Sequence, residues 1–106
     1  MTTTTSRIDA RALESKAEEV ADVLRTLAND RRLLILCRLV EEGEATVGAL
    51  AKDAGLSQSA LSQHLARMRD EGIVTFRREA QTIWYRIADR RIGTLLSTLY
   101  RLYCRD

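Results

Sequence analysis

Cys37 and Cys104 are the only thiols, and His64 the only imidazole, in this sequence of 106 residues. Two thiols can be oxidised, joined to one another or bound to a soft metal ion, depending on exposure and neighbouring charge. Cys37 stands in the apolar run Leu33 to Val40, where a thiol is ordinarily an inert core residue. Cys104 stands between Arg101 and Arg105, whose charges favour its thiolate, although the negative end of a helix finishing there opposes it. One histidine per chain cannot supply a catalytic or metal constellation that needs two. No glycine-rich phosphate loop, Cys-x-x-Cys pair or strand-nested nucleophile turn is present. These residues set enzymatic activity aside and require neither a cofactor nor a metal.

A second group is chemically milder and denser. Ser57, Gln58, Ser59, Ser62, Gln63, His64 and Arg67 fall within eleven consecutive positions. Carboxamides can bond adenine edges, while hydroxyls and the free amides of a helix start suit phosphate oxygens. Alone, such a face is also an ordinary solvated surface. A third group, Arg77, Arg78, Gln81 and Thr82, brackets a turn from which arginines can reach a nucleic-acid backbone or minor groove. The plainer alternative for those arginines is a charged edge that discourages strand pairing. Taken together, the two groups point to duplex DNA.

The elements that must position these side chains follow from periodicity. Leu13, Ala17, Val20, Leu24 and Leu27 recur at helical spacing and predict a first amphipathic helix from Asp9 to Leu27. Asn29 or Asp30 caps a second helix, which Gly43 ends; its run from Leu33 to Val40 is apolar on nearly every side and predicts burial at the centre. Thr46 caps a short third helix ended by Gly55, and Ser57 caps a fourth with Leu61, Leu65 and Met68 inward and its polar face outward. Gly72 stops that helix. Ile73 to Arg78 and Thr82 to Ile87 alternate with a period near two and predict a hairpin with its tip at Glu79-Ala80-Gln81, Ile83, Tyr85 and Ile87 facing the core. Asp89 caps a last helix whose apolar seam, Ile92 to Tyr103, is longer than one small domain can cover.

Hydrophobic residues form 45% of the chain and charged residues 30%, a balance that suits one folded domain. Residues 1–8 read as a disordered threonine-rich tail and residues 9–106 as the domain. The net charge of +2 is uninformative, but its distribution is not. Asp9, Glu14, Glu18, Glu19 and Asp22 gather early, and Arg67, Arg69, Arg77, Arg78, Arg86, Arg90 and Arg91 gather late, which predicts one basic face. No apolar run approaches the roughly 20 residues of a membrane span, so the expected location is the cytoplasm, without membrane association. The expected architecture is mainly α with a small β-hairpin: a winged helix-turn-helix, homodimeric through its first and last helices.

The residues from about Leu24 to Tyr103 resemble the ArsR/SmtB family of bacterial winged helix repressors. The resemblance rests on Leu27-Ala28-Asn29-Asp30-Arg31-Arg32, on the run from Leu56 to Leu65 and on the run from Arg78 to Ile87. It implies a homodimer that sits on operator DNA until an inducer releases it. Two recognition helices would enter successive major grooves of a roughly palindromic operator, with half-sites about one helical turn apart. The family's metal sites are not repeated. Glu44 to Leu50 lacks the paired thiols of arsenic sensors, and no histidine lies between Asp89 and Asp106.

The placement of Cys37 and Cys104 is similar to that in the sulfur- and redox-sensing BigR/SqrR branch. That resemblance implies that persulfide or polysulfide, or another oxidant, crosslinks the two thiols and releases DNA. A pair held beyond the roughly 7 Å Cα separation of ordinary disulfides would accept inserted sulfur more readily than direct oxidation. A constitutive or anti-repressor DNA-binding regulator with inert cysteines is the alternative reading.

Overall fold

The structure is a computed structural model in which residues 8–104 are described. The expected tail falls almost wholly outside them, as do Arg105 and Asp106. The order is α1 (Ala10–Leu27), α2 (Asp30–Glu42), β1 (Ala45–Thr46), α3 (Val47–Ala54), α4 (Gln58–Asp70), β2 (Val74–Glu79), β3 (Thr82–Ile87) and α5 (Arg90–Tyr103). This is a winged helix-turn-helix. Each helix starts on a side chain that accepts an otherwise orphaned backbone N–H. Asn29 accepts from Arg32 at 3.1 Å, Thr46 from Ala49 at 3.2 Å, Ser57 from Ala60 at 3.1 Å and Asp89 from Arg91 at 3.0 Å.

Two glycines close the helix-turn-helix unit. Gly55, at φ 66°, lets the Leu56 N–H reach back to the Ala51 carbonyl at 2.9 Å. Gly72, at φ 76°, does the same for Ile73 and Met68 at 2.9 Å. Both are glycine-terminated helix ends of the Schellman type, which need the left-handed backbone at that position.

The expected two-stranded hairpin is in fact part of a three-stranded antiparallel sheet ordered β1-β3-β2. Ala45 pairs with Tyr85 and Thr46 with Trp84. A two-residue strand is too short for alternation to reveal it, and Thr46 serves at once as strand and helix cap. The tip is also tighter than expected. Glu79 pairs with Thr82, leaving only Ala80 and Gln81 to turn the chain. Ala80 sits at φ 56°, the one described non-glycine residue with positive φ, where a Cβ is strained. Ala80→Gly is therefore expected to raise unfolding free energy by about 1 kcal/mol in chemical denaturation.

Leu36, Leu39, Leu61, Leu65 and Met68 have no exposed surface and join α2 to the helix-turn-helix unit. The helix α2 is not enclosed, contrary to the sequence expectation. It buries Ile35, Leu36 and Leu39, while Leu34 is 54% and Val40 37% exposed and Cys37 lies on the surface. A domain this small has too few elements to surround one helix, so its apolar run serves two surfaces.

Candidate nucleic-acid interface and thiol pair

The stripe Leu61, Leu65 and Met68 fixes the rotation of α4, and the opposite face is thereby presented to solvent. Ser57, Gln58, Ser59, Ser62, Gln63 and Arg67 are all exposed, with Arg67 paired to Glu71 at 3.6 Å beside α1. None of the buried contacts that hold the domain together depends on them. His64 is different. It is half-buried and turned toward α2, where its Nδ1 accepts from Arg32 Nε at 3.2 Å.

Burial, aided by the Arg32 charge, lowers the His64 pKa below its ordinary 6.5. The neutral ring is thus the native form, and the unfolded chain binds the proton more readily. Stability from this group is full above pH 6.5 and declines as pH falls below it. A thermal-unfolding series on the wild type should show that acid loss, and His64→Gln, which keeps an acceptor but does not titrate, should flatten it.

Arg31 and Arg32, which enter the sequence reading only as part of a family motif with no role assigned, both brace the unit from the start of α2. Arg31 Nη1 donates to the Ala54 carbonyl at 2.5 Å, at the end of α3. The far end of α4 is tied to α1 through the hydroxyl of Thr26, which donates to the Glu71 carboxylate, and Thr26 is only 3% exposed. Capping and packing signals in the sequence could not announce these long-range bonds.

The hairpin arginines separate into two roles. Arg77 makes a two-point pair with Glu44, Nε to Oε2 at 2.8 Å and Nη2 to Oε1 at 3.0 Å, and lies over the Trp84 ring at 5.6 Å. Its hydrogen bonds hold the Glu44 carboxyl below the usual range, with Arg86 adding charge. Arg77 thus has a structural task that strand patterning did not disclose. Arg78 lies opposite Ile83, on the same face as Phe76 and Tyr85 and beyond the end of the core. Gln81 and Thr82 are exposed at the tip. Arg69 of α4 stacks on Phe76 at 5.3 Å, linking the polar helix to the hairpin.

Cys37 and Cys104 are both free and exposed. Cys104 follows α5, its N–H bonding the Tyr100 carbonyl at 2.8 Å. Cys37 borders a groove between α2 and α5 together with Val40, Glu41, Ser97, Tyr100 and Arg101. Its pKa is raised from the ordinary thiol value, first by partial burial in that groove and then by negative charge on Cys104. The two thiols thus lie on the α2 and α5 sides of the molecule, Cys37 on the groove and Cys104 at the C-terminal end of α5.

No group of three His, Cys, Asp or Glu among the described residues could hold a metal ion. No helix among them is long and apolar enough to cross a membrane.

Residues 29–75 match the model of the bacterial regulatory protein, arsR family. The chain is 43% identical over 93 residues to the transcriptional activator HlyU of Vibrio cholerae, covering 88% of this chain and 85% of that one. The crystal structure of the transcriptional repressor BigR from Xylella fastidiosa superposes with a TM-score of 0.85 at 38% identity, over 93% of this chain and all of that one. A homodimeric winged helix-turn-helix DNA-binding domain from Mycobacterium bovis superposes at 0.74 with 33% identity, over 92% of this chain and 87% of that one.

Proposed function

The chain belongs to the arsR family of bacterial regulatory proteins, and from that premise we propose that it is a homodimeric repressor whose grip on operator DNA is released when Cys37 and Cys104 become linked. The observation that carries the DNA reading is the rotation of α4. Its apolar stripe is wholly buried, which leaves Ser57, Gln58, Ser59, Ser62 and Gln63 outward with no part in the core. Such a helix fits a major groove, with Arg78, Gln81 and Thr82 of the hairpin reaching the adjacent backbone.

Dimerisation is supported by α1. Every residue from Ala10 to Asp22 is exposed, including Leu13 at 49% and Val20 at 39%. A helix with so little packing is marginal alone in water. The exposed Leu24, Tyr100, Leu102 and Tyr103 extend the apolar surface from α1 to α5. The radius of gyration, 15.6 Å, exceeds the roughly 13 Å of a compact chain of this length. A second copy laid against α1 and α5 covers that surface, and the similar Mycobacterium bovis domain is homodimeric.

The sensing reading is supported by the exposure of both thiols, Cys37 on the groove between α2 and α5 and Cys104 just past the end of α5. The Cys37 thiolate takes the terminal sulfur of one persulfide and expels its thiol, and a second persulfide extends the chain by one sulfur. The Cys104 thiolate then attacks the sulfur next to Cys37 Sγ and expels hydrosulfide, leaving a three-sulfur bridge. The bridge ties the end of α5 to α2 and shifts the dimer helices relative to α4. A coupling of roughly 1–3 kcal/mol makes a useful switch.

The test selects operators from random duplexes with reduced protein, then repeats binding after polysulfide treatment. Two-fold symmetric half-sites about one turn apart and loss of binding with a mass gain of one inserted sulfur are expected. No selected duplex would overturn the DNA reading, and undiminished binding by crosslinked protein would overturn the switch.

A further inference from the structure

Beyond Cys37 the groove between α2 and α5 widens into a second hollow of about 550 Å³ that shares Val40, Ser97 and Arg101 with the first. Its charge is one-sided. Arg86, Arg90 and Arg101 line it beside the hydroxyls of Thr94 and Ser97, and no carboxylate among the described residues does. None of these arginines takes part in an ion pair among the described residues, whereas Arg25, Arg38, Arg67, Arg77 and Arg91 all do. Arg86 adds charge near Glu44, but both oxygens of Glu44 are held by Arg77. The single acid in the Cys37 part, Glu41, is paired with Arg38 at 3.1 Å.

The lining of the hollow also includes a glycine. Gly93 lies inside α5 with no positive φ, and a Cβ there would meet nothing within 4 Å. A glycine inside a helix weakens it, and no atom of this chain requires one here. Gly93 leaves open space beside three guanidiniums, the side chains best suited to planar oxyanions.

We propose that this hollow is an anion subsite that docks the carboxylate or sulfonate of a small organic sulfur donor, with its reactive sulfur directed along the groove to Cys37. This rests on the thiol reading above and specifies its substrate class: negatively charged donors are selected over neutral or cationic ones. Three exposed guanidiniums converging on one hollow concentrate such anions.

Charge-matched methanethiosulfonates test this without persulfide chemistry. The Cys37 thiolate attacks the sulfenyl sulfur and methanesulfinate leaves, so one bond forms and one breaks with no external oxidant. In a Cys104→Ser background, modification of Cys37 by the sulfonatoethyl reagent and by the trimethylammonioethyl reagent is followed by mass, each rate divided by that for the urea-unfolded chain. The normalised anionic rate should exceed the cationic one by about tenfold or more. Arg90→Gln with Arg101→Gln should bring the ratio toward unity, Gly93→Leu should slow the anionic reagent, and Lys52→Gln on α3, outside the lining, should change neither.

A ratio near unity in the parent chain, or one that survives loss of both arginines, overturns the proposal. A ratio equally reduced by Lys52→Gln overturns it too, by assigning selectivity to overall charge. These rates are independent of DNA release, so a protein that selects anions yet stays on DNA after polysulfide treatment would sink the switch and leave the subsite standing.

Discussion

Cys37→Ser and Cys104→Ser are each expected to abolish polysulfide-induced release from DNA while leaving the affinity of the reduced protein within about twofold, the ordinary range for a surface substitution. Both thiols are exposed and neither lies in α4 or the hairpin, so their loss removes no part of the proposed interface. Each variant can still form one persulfide but cannot form a bridge, because the second nucleophile is absent. Gel shift before and after polysulfide, with intact mass on the same samples, checks both halves. Normal release by either variant would show that a single modified thiol suffices, and the bridge would be abandoned. The raised pKa of Cys37 adds a direction: its thiolate fraction grows toward higher pH, so its modification should quicken as pH rises through the neutral range.

The second large effect concerns reading of sequence. Gln58→Ala combined with Gln63→Ala should weaken binding to the selected operator by about a hundredfold while sparing binding to unrelated duplex, since each carboxamide pair with a base discriminates by roughly 1–3 kcal/mol. Both side chains are exposed on α4 and neutral, so neither the fold nor the salt dependence should change. Arg78→Ala supplies the contrast. It removes a charge from the hairpin and should weaken all duplexes alike, reducing the slope of log affinity against log salt by about one. Competition assays with operator and scrambled duplex across a salt series separate the two patterns. Equal loss on both duplexes from the glutamine pair would assign α4 a backbone role instead of a reading one.

Much of this molecule is written in local signals. Asn29, Thr46, Ser57 and Asp89 mark helix starts, Gly55 and Gly72 mark their ends, and the spacing of Leu61, Leu65 and Met68 turns the polar face of α4 outward. These depend on hydrogen bonds and periodicities within a few residues, so they survive in the order of the chain. The fold type and the exposure of the polar face of α4 follow from them. The pairing of Cys37 with Cys104 is not among these local signals; the resemblance to the BigR/SqrR branch implies it.

Only the tertiary structure decided what those signals omit. Glu44 and Arg77 are far apart in sequence and meet because β1 pairs with β3, a contact two residues long that no alternation could announce. The same holds for Arg31 at the Ala54 carbonyl, Arg32 on His64 and Thr26 on Glu71, all long-range bonds set by helix packing. Exposure of Cys37 runs against the burial that its apolar run predicts, because such a run cannot say how many of its sides will find neighbours. Three arginines become one hollow only when α2, β3 and α5 converge. Local order is encoded residue by residue, whereas convergence of distant side chains depends on how whole elements pack.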